Sequence, residues 1–178
     1  MAQEIELQYL VCLRKLGQGF DDEIIAEFHR LLREGVWCEA FMDFIDGPPI
    51  GSSREEAFEI ACEFLGLHLP TSNDQAEWLV MSYHCARIVQ GKVAFREGAC
   101  AIASDFPEWD CAKGGPVRQF ANKLYALEDW RQAASGVHFG SMLNRELKRI
   151  DAEIWDLVSE WNGTWSARWQ TLGLDWDT

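Results

Sequence analysis

In every long segment of this chain the apolar residues return with the period of an α-helix. No segment alternates apolar and polar positions with β-branched enrichment. That pattern confines the chain to an all-α fold. The longest instance is 138–161, where Leu143, Leu147, Ile150, Ile154, Leu157, Val158 and Trp161 hold register over more than four turns. The same spacing predicts helices at 4–16, 21–34, 36–45, 54–66, 74–90, 97–105 and 117–134, with "GQGF", Gly35, "DGPPIGSS", "LHLPTSND", Gly91, "PEWDCAKGGP" and "ASGV" between them. The expected architecture is a compact helical bundle of seven to nine helices. An acidic N-terminal subdomain, 1–72, and a C-terminal subdomain, 73–178, are expected to share one core. At 178 residues, folding buries roughly 70% of the surface of the unfolded chain, enough for a core without staples.

Local signals refine the boundaries. Asp21, Asp22 and Glu23 suit a helix start by capping and by the dipole. Ser52-x-x-Glu55 and Ser53-x-x-Glu56 both fit a capping box, and Asn73 or Asp74 is expected to cap the helix that follows. Gly91 is expected to end that helix in the left-handed conformation. Asn162-Gly163 predicts a kink after Trp161, and the row Trp161, Trp165 and Trp169 is expected to lie over the bundle as a lid. The alternative for that row is a partner-binding aromatic strip.

His84 and Cys85 stand side by side, with Arg87 close behind. A Cys–His nucleophile pair needs the imidazole within hydrogen-bond reach of the sulfur, whereas adjacent helical residues diverge by about 100°. The pair is therefore read as part of an αα-hairpin, with Cys85 in the core. The six cysteines (Cys12, Cys38, Cys62, Cys85, Cys100 and Cys111) show no C-x-x-C and no regular spacing. The first fifteen residues place acids before their apolar run and offer no small-residue cleavage site, so no secretory signal is expected. Six free thiols in a reducing, cytoplasmic setting follow, with Cys12, Cys85 and Cys100 expected to be buried. No apolar run approaches the ~18 residues that would span a membrane.

Known catalytic patterns are missing. None of the four histidines has a Glu three residues before it, as a di-iron bundle site requires. No H-E-x-x-H, P-loop, G-x-S-x-G or G-x-G-x-x-G occurs. The acidic pairs at helical spacing (Glu23/Glu27, Glu55/Glu59, Glu59/Glu63, Asp156/Glu160) read as solvated faces. No catalytic residue, metal or cofactor is assigned, and an enzyme is not expected.

Charge is more informative. The net charge is −13, which argues against direct binding to nucleic acid. Residues 1–72 hold 14 acids and 5 bases, residues 73–137 hold 8 and 7, and residues 138–178 hold 7 and 4. The first segment thus carries −9 of the −13, a field that speeds encounter with a basic partner. Its strongest candidates for partner binding are Glu34, Glu39, Asp43 and Asp46. They cluster around the Gly35 break and the "DGPP" turn, where no single helix dipole accounts for them, and Trp37 beside them is a candidate anchor.

The hairpin sequence "EWLVMSYHCARIVQGKVAFREGACAIASDF", followed by "VRQFANKLYALEDW", resembles small helical bacterial proteins. Those carry a W-L-x(n)-A-x-x-I-x-x-G turn, a G-A-x-x-I helix and a later F-x-x-L-x(n)-E-D-W stretch. Here these are Trp78-Leu79, Ala86, Ile88 (shifted from the usual spacing), Gly91, Gly98-Ala99, Ile102, and Phe120 through Glu128-Asp129-Trp130. The stretch "LRKLGQGFDDEIIAEFHRLL" is similar to the helix-Gly-acidic-helix opening of colicin-like and contact-dependent growth inhibition immunity proteins. The resemblance implies a cytoplasmic inhibitor of a cognate protein toxin, basic and nuclease-type, and transfers no catalytic residue. A helical adaptor for another basic partner, and an enzyme assembled from scattered residues, remain the other two readings.

Overall fold

A computed structural model describes residues 2–47, 52–106, 116–135 and 140–171. The protein is all-α, with eight helices and no strand among the described residues. They are α1 (Ala2–Lys15), α2 (Asp21–Arg33), α3 (Glu39–Asp46), α4 (Ser52–Phe64), α5 (Asn73–Val89), α6 (Phe95–Asp105), α7 (Pro116–Ser135) and α8 (Gly140–Thr171). No described helix is long and apolar enough to cross a membrane. The chain forms two units, Met1–Val80 and Met81–Asp177, which divide inside α5.

In the first unit the buried stripes of α1 to α4 meet around aromatic rings. Phe28 stacks on Phe41 at 4.6 Å, meets Phe44 edge-on at 5.5 Å, and Phe44 continues to Phe58 at 5.4 Å. Ring pairs at these separations add about 0.5–1.5 kcal/mol each beyond the area they bury. Leu7, Val11, Ile24 and Cys62 complete the core. Gln8, itself buried, ties α1 to the segment before α5. Its Nε2 donates to the His68 carbonyl and its Oε1 accepts from the His68 N–H, each at 2.7 Å.

α2 ends through Gly35, at φ +86°. The Val36 N–H then reaches back to the Leu31 carbonyl and the Gly35 N–H to that of Leu32. This closure sets Cys38 in extended backbone, φ −142° and ψ 129°. Hence α3 starts at Glu39, not at 36 as the apolar spacing predicts, and Trp37 precedes the helix.

Two helix caps differ from expectation. Phe20 occupies the cap position of α2 and no side chain caps it. Asp21 instead accepts from Arg14 at 2.8 Å and pairs with Arg54 at 3.4 Å. The cap of α5 is Ser72, whose Oγ accepts from the Gln75 N–H at 3.2 Å while the Gln75 Oε1 accepts from the Thr71 N–H at 2.8 Å. Asn73 is already the first helical residue.

In the second unit, Gly91 at φ +68° ends α5, with the Lys92 N–H donating to the Arg87 carbonyl, as expected. α6 returns so closely that a Cβ on Gly98 would lie 2.3 Å from Cγ1 of Ile88. α8 runs as one helix to Thr171, through Asn162-Gly163. A helical glycine costs only about 1 kcal/mol relative to alanine, and no proline follows to break the hydrogen bonds. Packing on the preceding turn outweighs that cost. Trp161 is buried, lies 4.9 Å from the Phe120 ring, and its indole N–H donates to Ser82 Oγ at 3.0 Å. The side chains of Trp165 and Trp169 lie outside the described residues.

Five cysteines are described, and all are free thiols. Cys12, Cys62 and Cys85 are buried, but Cys100 is exposed, contrary to expectation. α6 buries a narrow stripe through Gly98, Ala99 and Ile102, and Cys100 falls on its opposite side. Cys111 lies outside the described residues.

Candidate protein-docking face

Along α3, Ala40, Phe41 and Phe44 point into the core. Glu39, Asp43 and Asp46, spaced i, i+4 and i+7, fall on the opposite side and are exposed. Trp37, just before the helix, is 67% exposed. It is therefore a surface indole and not a core one. Four of the five sequence candidates thus share one short segment, Trp37 to Asp46.

Among the described residues no cation lies within ion-pair distance of Glu39, Asp43 or Asp46. Glu34, at the end of α2, stands apart. It accepts from Arg30 at 2.7 Å, and Arg30 also holds Glu27 at 2.8 Å.

The neighbouring arginines are engaged elsewhere. Arg14 grips Glu55 with two hydrogen bonds, 2.9 and 2.6 Å, while its guanidinium lies 4.4 Å from the centre of the Phe58 ring. Buried Arg54 lies 4.5 Å over Phe44, and its Nε has no hydrogen-bond partner among the described residues. Arg14 holds the Glu55 carboxyl below its usual range, and Glu55 in turn raises the Arg14 guanidinium. Glu55 is therefore a salt-bridge partner of α1.

α4 carries an exposed stretch of its own that sequence reasoning missed. Glu56, Glu59 and Glu63 are exposed along it, and Ile60 and Phe64, one turn apart, are 48% and 54% exposed. Phe64 meets Phe41, on the core-facing side of α3, edge-on at 5.9 Å. At i and i+4 Ile60 and Phe64 look like core positions in the sequence. The available signal was the four glutamates between 55 and 63, which leave α4 little apolar circumference.

Burial pushes the Cys12 and Cys62 thiols up to about 12 and raises Cys85 further, so none supplies a thiolate at neutral pH. His84 Nε2 is engaged by Asp105 Oδ2 at 2.7 Å, which places it in a hairpin clasp. Among the described residues no group of three or more His, Cys, Asp or Glu converges to hold a metal ion. The α3 face can offer carboxylates to a cationic surface and an indole to an apolar pocket. Comparison with protein families, curated proteins and solved structures finds no match to the chain.

Proposed function

We propose that this chain is a binding protein that neutralises a basic protein partner, as an immunity protein does a nuclease-type toxin, by docking the α3 face over the partner's active or substrate-binding surface. The observation that carries the proposal is Trp37, 67% exposed, at the head of three carboxylates with no paired cation among the described residues. An exposed indole has a hydrophobic reason to be covered, and tryptophan is enriched where binding energy concentrates. The unpaired acids steer a cationic partner and raise its rate of encounter. Free thiols throughout the described cysteines suit action in the cytoplasm.

The test is co-purification with neighbouring gene products, followed by rescue from toxicity and by binding kinetics at low and high salt. Reversing Glu39 and Asp43 to Lys should slow association and flatten its salt dependence. If association rate and salt slope are unchanged, the acidic face serves solubility alone.

A further inference from the structure

Within the second unit, α7 and α8 pack together and leave an open groove of about 460 Å³ between them. Its floor is apolar, formed by Ala126 and Leu127 of α7 and Leu157 of α8. One wall carries Glu153, Asp156 and Glu160, at i, i+3 and i+7 on α8. They run over about two helical turns. Lys123 is the sole basic residue among those lining the groove. One turn beyond Leu127, Trp130 is 54% exposed and prolongs the apolar stripe. Glu153 is held by Arg149, but Asp156 and Glu160 have no ion pair among the described residues.

We infer that the groove between α7 and α8 docks a basic amphipathic helix of a protein partner, a surface additional to the α3 face. The shape suits a helix better than a small molecule, because the groove is open to solvent and is not an enclosed cavity. An amphipathic helix lays its apolar stripe on such a floor and keeps its polar side at the rim. The charge selects the sign of that helix. Lysines or arginines flanking its stripe meet Asp156 and Glu160, whereas nucleic acid or an anionic membrane meets like charge. A second copy of this chain, itself at −13, is disfavoured for the same reason.

The probe is a fluorescein-labelled Leu/Lys peptide with helical amphipathic spacing, compared with a scrambled peptide of identical composition. Fluorescence anisotropy against the full chain at physiological salt reads the affinity. The amphipathic peptide should bind about tenfold or more tightly than the scrambled one, a gap set by the apolar floor. Asp156→Lys with Glu160→Lys should weaken it by about tenfold or more, and so should Ala126→Trp, which fills the groove from an exposed position. Glu39→Lys with Asp43→Lys should leave affinity within about twofold, as expected for independent sites. That control separates this inference from the function proposed for α3. Circular dichroism of each variant checks that the helices remain. No binding, equal binding of the scrambled peptide, or loss of binding only with the α3 reversal would each overturn the inference.

Discussion

His84 Nε2 and Asp105 Oδ2 lie 2.7 Å apart and join α5 to α6 across twenty-one positions of sequence. Both side chains are largely withdrawn from water, at 8% and 14% exposure. Removing one partner leaves the other poorly solvated and without its bond. Asp105→Ala should therefore destabilise the protein by about 1–3 kcal/mol. Urea denaturation is the measurement, and His84→Ala combined with Asp105→Ala should cost less than the sum of the two single changes.

Gly98→Ala reverses a general expectation. In an ordinary helix this change stabilises by about 1 kcal/mol. Here the new Cβ would sit 2.3 Å from Cγ1 and 2.7 Å from Cδ1 of Ile88. Overpacking of this kind costs about 1–3 kcal/mol, so the net change should be destabilising. Ile88→Ala in the same chain should relieve the clash, visible as a favourable coupling in a double-mutant cycle on thermal stability.

The contact of Arg14 with Glu55 gives a pH dependence of known sign. The folded Glu55 carboxyl titrates below its ordinary value because Arg14 donates to both of its oxygens. A depressed carboxylate adds stability above its unfolded pKa and loses it as pH falls through the folded one. Glu55 is 57% exposed, so screening keeps the contribution to at most about 1 kcal/mol. The stability gap between wild type and Glu55→Gln should be full at pH 7 and fade below about pH 4.3. Urea midpoints measured across that range at constant ionic strength check it.

Trp37→Ala should separate folding from binding. With 67% of the residue exposed, truncation should change stability by no more than about 0.5 kcal/mol. Against a bound partner the same change should speed dissociation by about tenfold or more, with little effect on association. Surface plasmon resonance gives both rates. Unchanged dissociation would remove Trp37 from the docking face.

Periodicity located the helices because burial on one side repeats every three to four residues, and Gly91 marked the turn after α5 because its sequence offers no other stop. Less legible were features decided by one local hydrogen bond. Ser72 wins the cap of α5 over Asn73 because Gln75 answers it. Trp37 falls outside α3 because the bonds that close α2 consume the preceding backbone. The continuity of α8 through Gly163 depends on what holds Trp161, a partner seventy-nine residues away. The acidic face of α3 was visible as charge density. The bare apolar pair on α4 was not, because Ile60 and Phe64 at helical spacing look the same in sequence whether covered or bare.

The buried thiols give the molecule internal stopwatches. Cys12 and Cys62 lie in the first unit and Cys85 in the second, each sealed from solvent while its surroundings hold. An alkylating reagent reaches them only when the local structure opens, so labelling rate converts into opening free energy. With Cys38, Cys100 and Cys111 changed to Ser, mass spectrometry can time each unit separately in one sample. Cooperative melting would set all three clocks to one rate. Independent melting would leave Cys85 on a schedule of its own.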